Sequence, residues 1–416
     1  MIYQAILTAS LFLLLAFGIE HLGRWSGIPS VVILIVTGLV GRPALNFLGI
    51  EFTGLDTAVP VIGTIGLILI VLEGAFEIEL RRDRIKLATW ASLSAIVGLL
   101  ICTFLFALAA SIAFNLTLVQ SLLVAIPFSV ISSAVAIPSS SFLPLQGREF
   151  IVYESSISDI LGILFFFTVL NSDGSVGSIF SSLMGDGLLS ILLGAVCAIA
   201  LLLILLRIEG HVRFTPLLAT LFALYAVGKL WHLSPLLMVL LFGLAINNLR
   251  LFTGLPVLRG LLDSEFEKTL AEFKSLTTEL TFAVRGFFFI ILGYWTDWTA
   301  LADPVAWLIA VVVLAVIFFS RSFWMRLSRI GMGAALTWIA PRGLITVLLF
   351  LSAKETVELP SSMDGAVLLV VFASALMVAV GRILWSKQAP PPSPPNETAQ
   401  TEPETGLVRL PGNPAD

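Results

Sequence analysis

Two acidic residues, Glu154 and Asp159, lie in the stretch IVYESSISDILGILFFFTVL (151–170), which is otherwise apolar enough to cross a membrane. A carboxylate at the bilayer centre costs about 2.5–3.5 kcal/mol on insertion scales, so each acid needs a compensating partner. On a helix, Ser155 and Asp159 are four residues apart and share a face. Hydroxyl and carboxylate oxygens suit hard cations such as Na⁺. The stretch therefore predicts a cation site in which Asp159 and Ser155 are the metal-ion ligands.

Glu154 and Ser158 form a second pair at this spacing, on the neighbouring face of the same helix. Glu154 points away from Asp159 by more than a quarter turn, so we expect it to meet a basic residue of another helix. Arg321 and Arg342 are the candidates, because both lie in or beside apolar runs and arginine binds a buried carboxylate in bidentate fashion. Alternatively, Arg342 satisfies carbonyls freed by the break in span twelve, and Arg321 anchors its helix at the interface. The alternative is that Asp159 is itself half of a buried ion pair.

Glu73 is a third acid in an apolar run, in LILIVLEGAFEIELRRDRIK. It either contributes to a vestibule or to the ion site, or extends to the membrane surface with Glu77 and Glu79. Arg285 opens the Phe-rich run FAVRGFFFIILGYWTD, and we expect that run to serve packing or lipid contact.

The composition places these residues in a polytopic membrane protein. The 416 residues are 58% hydrophobic and only 12% charged, with a mean hydropathy of +1.03, whereas soluble proteins carry roughly 25% charged residues. The net charge of −4 is small and dispersed, which gives no indication of nucleic-acid binding. Cys102 and Cys197 are too few for a disulfide framework. No nucleotide motif, cofactor site or His cluster is apparent, and a membrane-embedded enzyme would need clustered catalytic groups that the sequence lacks.

A membrane span needs roughly 20 mostly apolar residues, and the chain contains thirteen candidate runs. They cover about residues 3–20, 28–42, 58–77, 88–114, 118–140, 149–170, 186–206, 214–230, 234–249, 278–296, 303–322, 333–352 and 363–385. The first run is expected to be retained rather than cleaved as a signal peptide. The amphipathic segment 250–277 is expected to lie along the interface, and the Pro-rich tail 388–416 to be disordered.

Spans five and twelve both contain helix-breaking residues near their middles. Span five reads AIPFSVISSAVAIPSS, and span twelve reads LTWIAPRGLITVLLFL. Proline removes a helix hydrogen bond and clashes with the preceding turn, so both helices are predicted to be broken within the membrane, although a simple kink is the alternative for either one.

The two breaks are seven spans apart, which places them at equivalent positions of two inverted six-helix repeats. The repeats would be about 1–170 and 214–387, joined by a linking helix at 186–206, so that 1–387 forms one transmembrane domain. Paired breaks in inverted repeats point to the binding site of a secondary transporter. Most of the 23 Lys and Arg residues fall in alternate connections, which predicts an outside N-terminus and a cytoplasmic C-terminus.

Several stretches resemble the monovalent cation/proton antiporter superfamily, which includes sodium/proton exchangers with thirteen spans. The sequence IPSVVILIVTGLVGRP is similar to the second span of that family, EGAFEIELRRDRI to the end of its third span, and GFFFIILG to its tenth. The stretch IAPRGLITV matches the Arg-Gly of the broken twelfth span, and ESSISDI stands at the sixth-span motif. The resemblance covers essentially residues 1–386.

This resemblance implies that Asp159 is the ion-binding carboxylate and Ser155 a neighbouring ligand. It also implies that Glu154 pairs with the basic residue of span eleven, here Arg321. The implied protein is a homodimeric antiporter of a bacterial inner membrane, surrounded by lipid, that exchanges a monovalent cation for H⁺ by alternating access.

Two positions depart from the family pattern. Ser158 precedes Asp159 where exchangers carry Asn or Asp, and Ser132, Ser133 and Ala134 replace the Thr-Asp-Pro of many sodium exchangers. The Ser-Ser form is closer to the potassium-efflux branch. The resemblance to sodium/proton exchangers leads us to expect Na⁺/H⁺ exchange, with K⁺ or Li⁺ as alternative cations. Ser132 and Ser158 are further candidate ligands.

The predicted number of protons exchanged per cation depends on which acids can titrate. Ser158 cannot titrate, and Glu154 is expected to stay ionised beside an arginine. Asp159 would then trade one proton for one cation, so exchange is predicted to be electroneutral unless Glu73 titrates as well. The alternative of a cation channel would need no carboxylate that titrates in each cycle.

Overall fold

The computed structural model describes residues 2–26, 28–47, 55–78, 84–172, 214–231, 235–248, 264–296, 298–328 and 333–386, with short pieces between 175 and 197. Every regular element in these ranges is an α-helix. The helices are α1 Ile2–Ser26, α2 Ser30–Phe47, α3 Leu55–Glu77, α4 Ile85–Phe114, α5 Leu118–Ser129, α6 Ser133–Ser139, α7 Leu145–Leu170, α8 Phe214–Leu230, α9 Pro235–Asn247, α10 Ser264–Trp295, α11 Trp298–Ala302, α12 Pro304–Leu327, α13 Gly333–Thr337, α14 Leu344–Lys354 and α15 Ser362–Ser386. Most of the expected linking helix 186–206, and the tail 388–416, lie outside the described residues.

Six stretches of helix in the described ranges are long and apolar enough to cross a membrane. They are Ile85–Phe114, Leu118–Ser139, Leu145–Leu170, Lys268–Trp295, Pro304–Leu327 and Ser362–Trp385. Five shorter apolar helices accompany them, at Ser10–Gly23, Ser30–Leu45, Thr215–Leu230, Pro235–Asn247 and Leu344–Lys354. The predicted all-helical membrane architecture is confirmed, while the count of thirteen spans and the inverted repeats stay predictions.

The helix boundary expected at residue 278 is absent, because α10 runs without interruption from Ser264 to Trp295. Its first half, SEFEKTLAEFKSL, contains no Pro or Gly and is rich in helix-forming residues. Phe273 in this half is fully buried and packs edge-on against Phe76 of α3, with 5.8 Å between the ring centroids. Residues 264–277 thus prolong the tenth span.

Helices α2 and α10 pack closely through two glycines. A Cβ on Gly38 would overlap the Ile290 carbonyl, and a Cβ on Gly293 would overlap the Ile35 carbonyl. Small residues let membrane helices approach to this degree. The contact fixes the part of α10 that carries Arg285.

The end of α3 is held by α9. Asn247 Nδ2 donates to the carbonyls of Phe76 and Ile78 at 3.0 and 2.9 Å, and Asn248 Nδ2 donates to Ile78 at 2.9 Å. The last carbonyls of a helix lack partners within it, so the two amides supply donors that water would supply at an exposed end. They thereby position the last two turns of α3, which carry Glu73 and Glu77.

The apolar core surrounds the interrupted spans. Phe128 at the end of α5 packs against Phe106 of α4 and Phe350 of α14, with ring centroids 6.3 and 6.1 Å apart. In contrast, Phe104 and Phe319 on α4 and α12 are 67% and 69% exposed. Large apolar side chains at that exposure face lipid rather than water in a membrane protein.

Candidate ion-binding site

Spans five and twelve are both interrupted, and the two interruptions contact each other. Residues 130–132 separate α5 from α6, and residues 338–343 separate α13 from α14. The backbone N–H of Ser132 donates to the Pro341 carbonyl at 2.9 Å. A Cβ on Gly343 would overlap the Ser132 side chain, so glycine allows the two chains to cross.

Side chains of helix α7 accept hydrogen bonds from the backbone of the interruption in span five. The N–H of Ile131 donates to Ser158 Oγ at 3.0 Å, and the N–H of Ser133 donates to Asp159 Oδ2 at 3.0 Å. Buried backbone groups that leave a helix need such partners. The interruption follows Pro127 by three residues because these side-chain acceptors, together with Pro341, satisfy the N–H groups there.

Asp159 keeps one carboxylate oxygen free. Its side chain is buried, at 7% exposure, and Oδ1 has no hydrogen-bond partner. Buried polar atoms without a partner are rare and costly. An arriving cation or proton would satisfy this oxygen.

Arg342 lies at the C-terminal end of α5. The side chain is 1% exposed; its Nε donates to the Phe128 carbonyl at 2.6 Å and its Nη1 to the Ala340 carbonyl at 2.9 Å. Its backbone N–H donates to Ser374 Oγ on α15 at 2.9 Å. A cation at this helix end compensates unpaired carbonyls and the negative end of the helix dipole.

Glu154 forms a bidentate ion pair with Arg321 of α12. The two nitrogen–oxygen distances are 2.9 and 2.6 Å, and Glu154 is fully buried. Ser94 Oγ on α4 donates to the same carboxylate at 2.6 Å, and Arg321 Nε donates to the Leu336 carbonyl in α13 at 2.8 Å. Arg321 rather than Arg342 is thus the partner of Glu154, and the pair joins α7, α12 and the interrupted span twelve.

A family model described as "Sodium/hydrogen exchanger, transmembrane" matches residues 7–385. The chain belongs to the sodium/hydrogen exchanger family. The resemblance seen in the sequence is thereby confirmed, and membership assigns the chain to the cation/proton antiporters, which are transporters rather than enzymes.

Solved structures share the fold of this exchanger. It is similar to the sodium proton antiporter MjNhaP1 from Methanocaldococcus jannaschii at pH 8, with a TM-score of 0.71, 21% identity, and coverage of 93% of this chain and 98% of that chain. A second structure of that antiporter, from electron microscopy, gives a TM-score of 0.67 at 20% identity, with coverage of 93% and 97%. The likeness extends over nearly the whole chain.

The three serines predicted as ligands occupy different positions around Asp159. Ser155 Oγ donates to the Ile151 carbonyl one turn earlier at 2.7 Å, which leaves its lone pairs available to a cation. Ser158 Oγ accepts the Ile131 N–H, so it supports the interruption. Ser132 lies where the two interruptions cross, beside Gly343.

Glu73 of α3 is paired with Arg285 of α10, a partner that the sequence analysis did not predict. The Arg285 side chain itself faces inward: its Nη2 lies 3.0 Å from Glu73 Oε2, and its Nη1 donates to the Ala134 carbonyl in α6 at 3.3 Å. The sequence contained one signal for this pair, because an arginine inside a membrane span is by default a functional or paired residue. Glu73 therefore has a partner on another helix, whichever of its two expected roles it serves.

Within the described ranges, no group of three or more His, Cys, Asp or Glu side chains is placed to hold a metal ion. The predicted ligands Asp159 and Ser155 would bind the transported cation, which is the substrate of an exchanger.

Proposed function

We propose that this exchanger carries Na⁺ in exchange for H⁺, with the cation and the proton competing for Asp159 during alternating access. The main support is the Asp159 carboxylate itself, because Oδ1 has no hydrogen-bond partner and the side chain is buried beside the crossing of two interrupted spans. A carboxylate that is neutralised by either ion can tolerate this position in both loaded states.

Two other acids of the described helices have arginine partners, which supports the choice of Asp159. Glu154 is compensated by Arg321, and Glu73 by Arg285. Asp159 has no ion pair in the part of the chain that the structure describes. In this proposal Ser155, Ser132, Ser158 and Glu73 contribute to the cation path around it.

Electroneutral exchange is part of the same proposal. Since Glu154 and Glu73 each face an arginine, the proposal gives neither of them a role in carrying the exchanged proton. Asp159 then exchanges one proton for one cation, and no net charge crosses the membrane.

The proposed arrangement in the cell follows the sequence. Repeats of about 1–170 and 214–387 form one domain in a bacterial plasma membrane, with the N-terminus outside and the tail 388–416 in the cytoplasm. Two copies form a homodimer. The movement between outward-open and inward-open states would rearrange the crossing at Ser132 and Pro341.

The experiment that tests this function uses purified protein in proteoliposomes that contain a pH-sensitive dye. Na⁺, K⁺, Li⁺ and choline are each added outside while the membrane potential is clamped with an ionophore. We expect Na⁺-dependent proton flux, and no flux with choline. A response to K⁺ alone would favour the alternative that the Ser132–Ser133 sequence suggests, and cation current without coupled proton flux would indicate a channel and overturn the proposal.

A further inference from the structure

A small cavity lies beside Asp159, between α3 and α7. Its walls are mostly apolar side chains of α3, α7, α9 and α14, and two polar residues, Ser156 and Asp159, face it. Because these two residues are three positions apart on α7, they lie on the same side of the helix. The cavity therefore has an apolar wall and one polar edge.

Both polar residues present an unpartnered oxygen. Ser156 Oγ and Asp159 Oδ1 make no hydrogen bond, although their side chains are only 1% and 7% exposed. Leaving a buried polar atom unsatisfied costs about 1–3 kcal/mol. Two such oxygens on one cavity indicate that a ligand satisfies them in part of the transport cycle.

A second carboxylate, that of Glu77, lies close to these two residues without lining the cavity itself. Glu77 is the last residue of α3, and its carboxylate is near Ser156 and close enough to interact with Asp159. It does not satisfy Ser156 Oγ, which makes no hydrogen bond. Glu77 forms no ion pair among the described residues, whereas Glu73 one turn earlier is held by Arg285. The Asn247 amide on the Phe76 and Ile78 carbonyls fixes this end of α3.

We propose that Ser156 and Glu77 form, together with Asp159, the subsite that receives the dehydrated monovalent cation. This inference rests on the proposed function, because Asp159 is the carboxylate that both ions would share. One hydroxyl and two carboxylates supply the hard oxygens that alkali cations prefer. The subsite adds two residues, from α7 and α3, to the ligands expected from the sequence.

Cation-dependent proton flux in proteoliposomes tests the subsite through its dependence on cation concentration. Ser156→Ala and Glu77→Gln should each raise the KM for the cation about tenfold while the maximal rate is retained, since each loses one oxygen contact to a charged ligand. Ser156→Thr, which restores a hydroxyl, should recover most of the affinity.

Two matched controls separate this effect from general damage. Thr103→Val removes another buried hydroxyl without a partner, on α4 and away from the cavity. Glu272→Gln removes an exposed acid of α10. Both should keep the wild-type KM.

Thermal stabilisation by Na⁺ tests cation binding in variants that transport poorly. Added Na⁺ should raise the thermal stability of detergent-purified wild-type protein and of both controls, and should do so less for Ser156→Ala and Glu77→Gln.

The outcomes distinguish the subsite from the proposed function. If Asp159→Asn abolishes exchange but Ser156→Ala and Glu77→Gln match their controls in KM and in stabilisation by Na⁺, the subsite is wrong and the function stands. If Asp159→Asn still exchanges cations at the wild-type rate, the proposed function itself fails.

Discussion

Removing either partner of the buried pair of Glu154 and Arg321 should be strongly destabilising, and a double-mutant cycle measures the coupling between the two residues. Glu154 accepts two hydrogen bonds from Arg321 and one from Ser94, and is fully buried. Removing one partner of such a pair costs about 3–5 kcal/mol, because the other charge is left buried without compensation. Glu154→Gln should therefore lower the free energy of unfolding by about 3–5 kcal/mol.

Arg321→Gln should cost somewhat more than Glu154→Gln. Arg321 Nε also donates to the Leu336 carbonyl at 2.8 Å, and a buried carbonyl without a donor costs about 1–3 kcal/mol. The double variant loses that contact as well but strands no charge. It should lose about 3 kcal/mol less than the sum of the two single variants.

The assay is unfolding in mixed micelles at increasing denaturing detergent, followed by tryptophan fluorescence. The exposed pair of Lys354 and Asp364 provides the control, with a nitrogen–oxygen distance of 2.8 Å and side chains that are 37% and 45% exposed. A cycle of Lys354→Gln and Asp364→Asn should give a coupling of about 0.2–1 kcal/mol. Strictly additive losses for Glu154 and Arg321, or a coupling no larger than that of the control, would refute the reasoning.

Three further predictions concern the crossing, the second ion pair and the charge moved. Gly343→Ala should reduce exchange strongly, because the new Cβ would overlap Ser132. Gly41→Ala, where a Cβ meets open space, is the control and should leave the exchange rate unchanged. Equal exchange rates for the two variants would contradict the crossing of the two interrupted spans. Arg285→Gln should make exchange respond to membrane voltage, since Glu73 loses its counter-ion and can take up a proton; an unchanged voltage response would contradict this. Wild-type exchange should not respond to an imposed potential, although moving one charge across 100 mV is worth about 2.3 kcal/mol, and flux that follows the sign of the potential would disprove one-for-one exchange.

The sequence predicts the membrane architecture and the interruptions well, because both depend on local composition. Apolar runs identify the spans, and Pro127, Pro341 and Gly343 mark where helices are weak. The place of the first interruption could not be predicted. It lies after Pro127 because Ser158 and Asp159, distant in the chain, accept its N–H groups.

Pairing between helices is harder to predict than the helices themselves. Arg321 and Arg342 were both possible partners for Glu154, and the packing of α12 on α4 brings Arg321 to that carboxylate. Arg285 was missed because its Phe-rich surroundings suggested lipid, whereas the glycine contact with α2 turns this part of α10 inward. Its partner Glu73 lies on a helix more than 200 residues away in the chain.

Proton release on cation binding tests the central claim most directly. Purified protein in weakly buffered detergent solution with a pH dye is titrated with Na⁺ (or with K⁺ or Li⁺, if the liposome assay selects one of them). Competition at Asp159 predicts that cation addition releases up to one proton per chain, with a midpoint that moves to higher cation concentration as the pH falls. Asp159→Asn should release none, while Glu272→Gln should match wild type. Proton release from Asp159→Asn equal to that of wild type, or saturable cation binding to wild type with no release and an unchanged midpoint at every pH tested, would contradict the account.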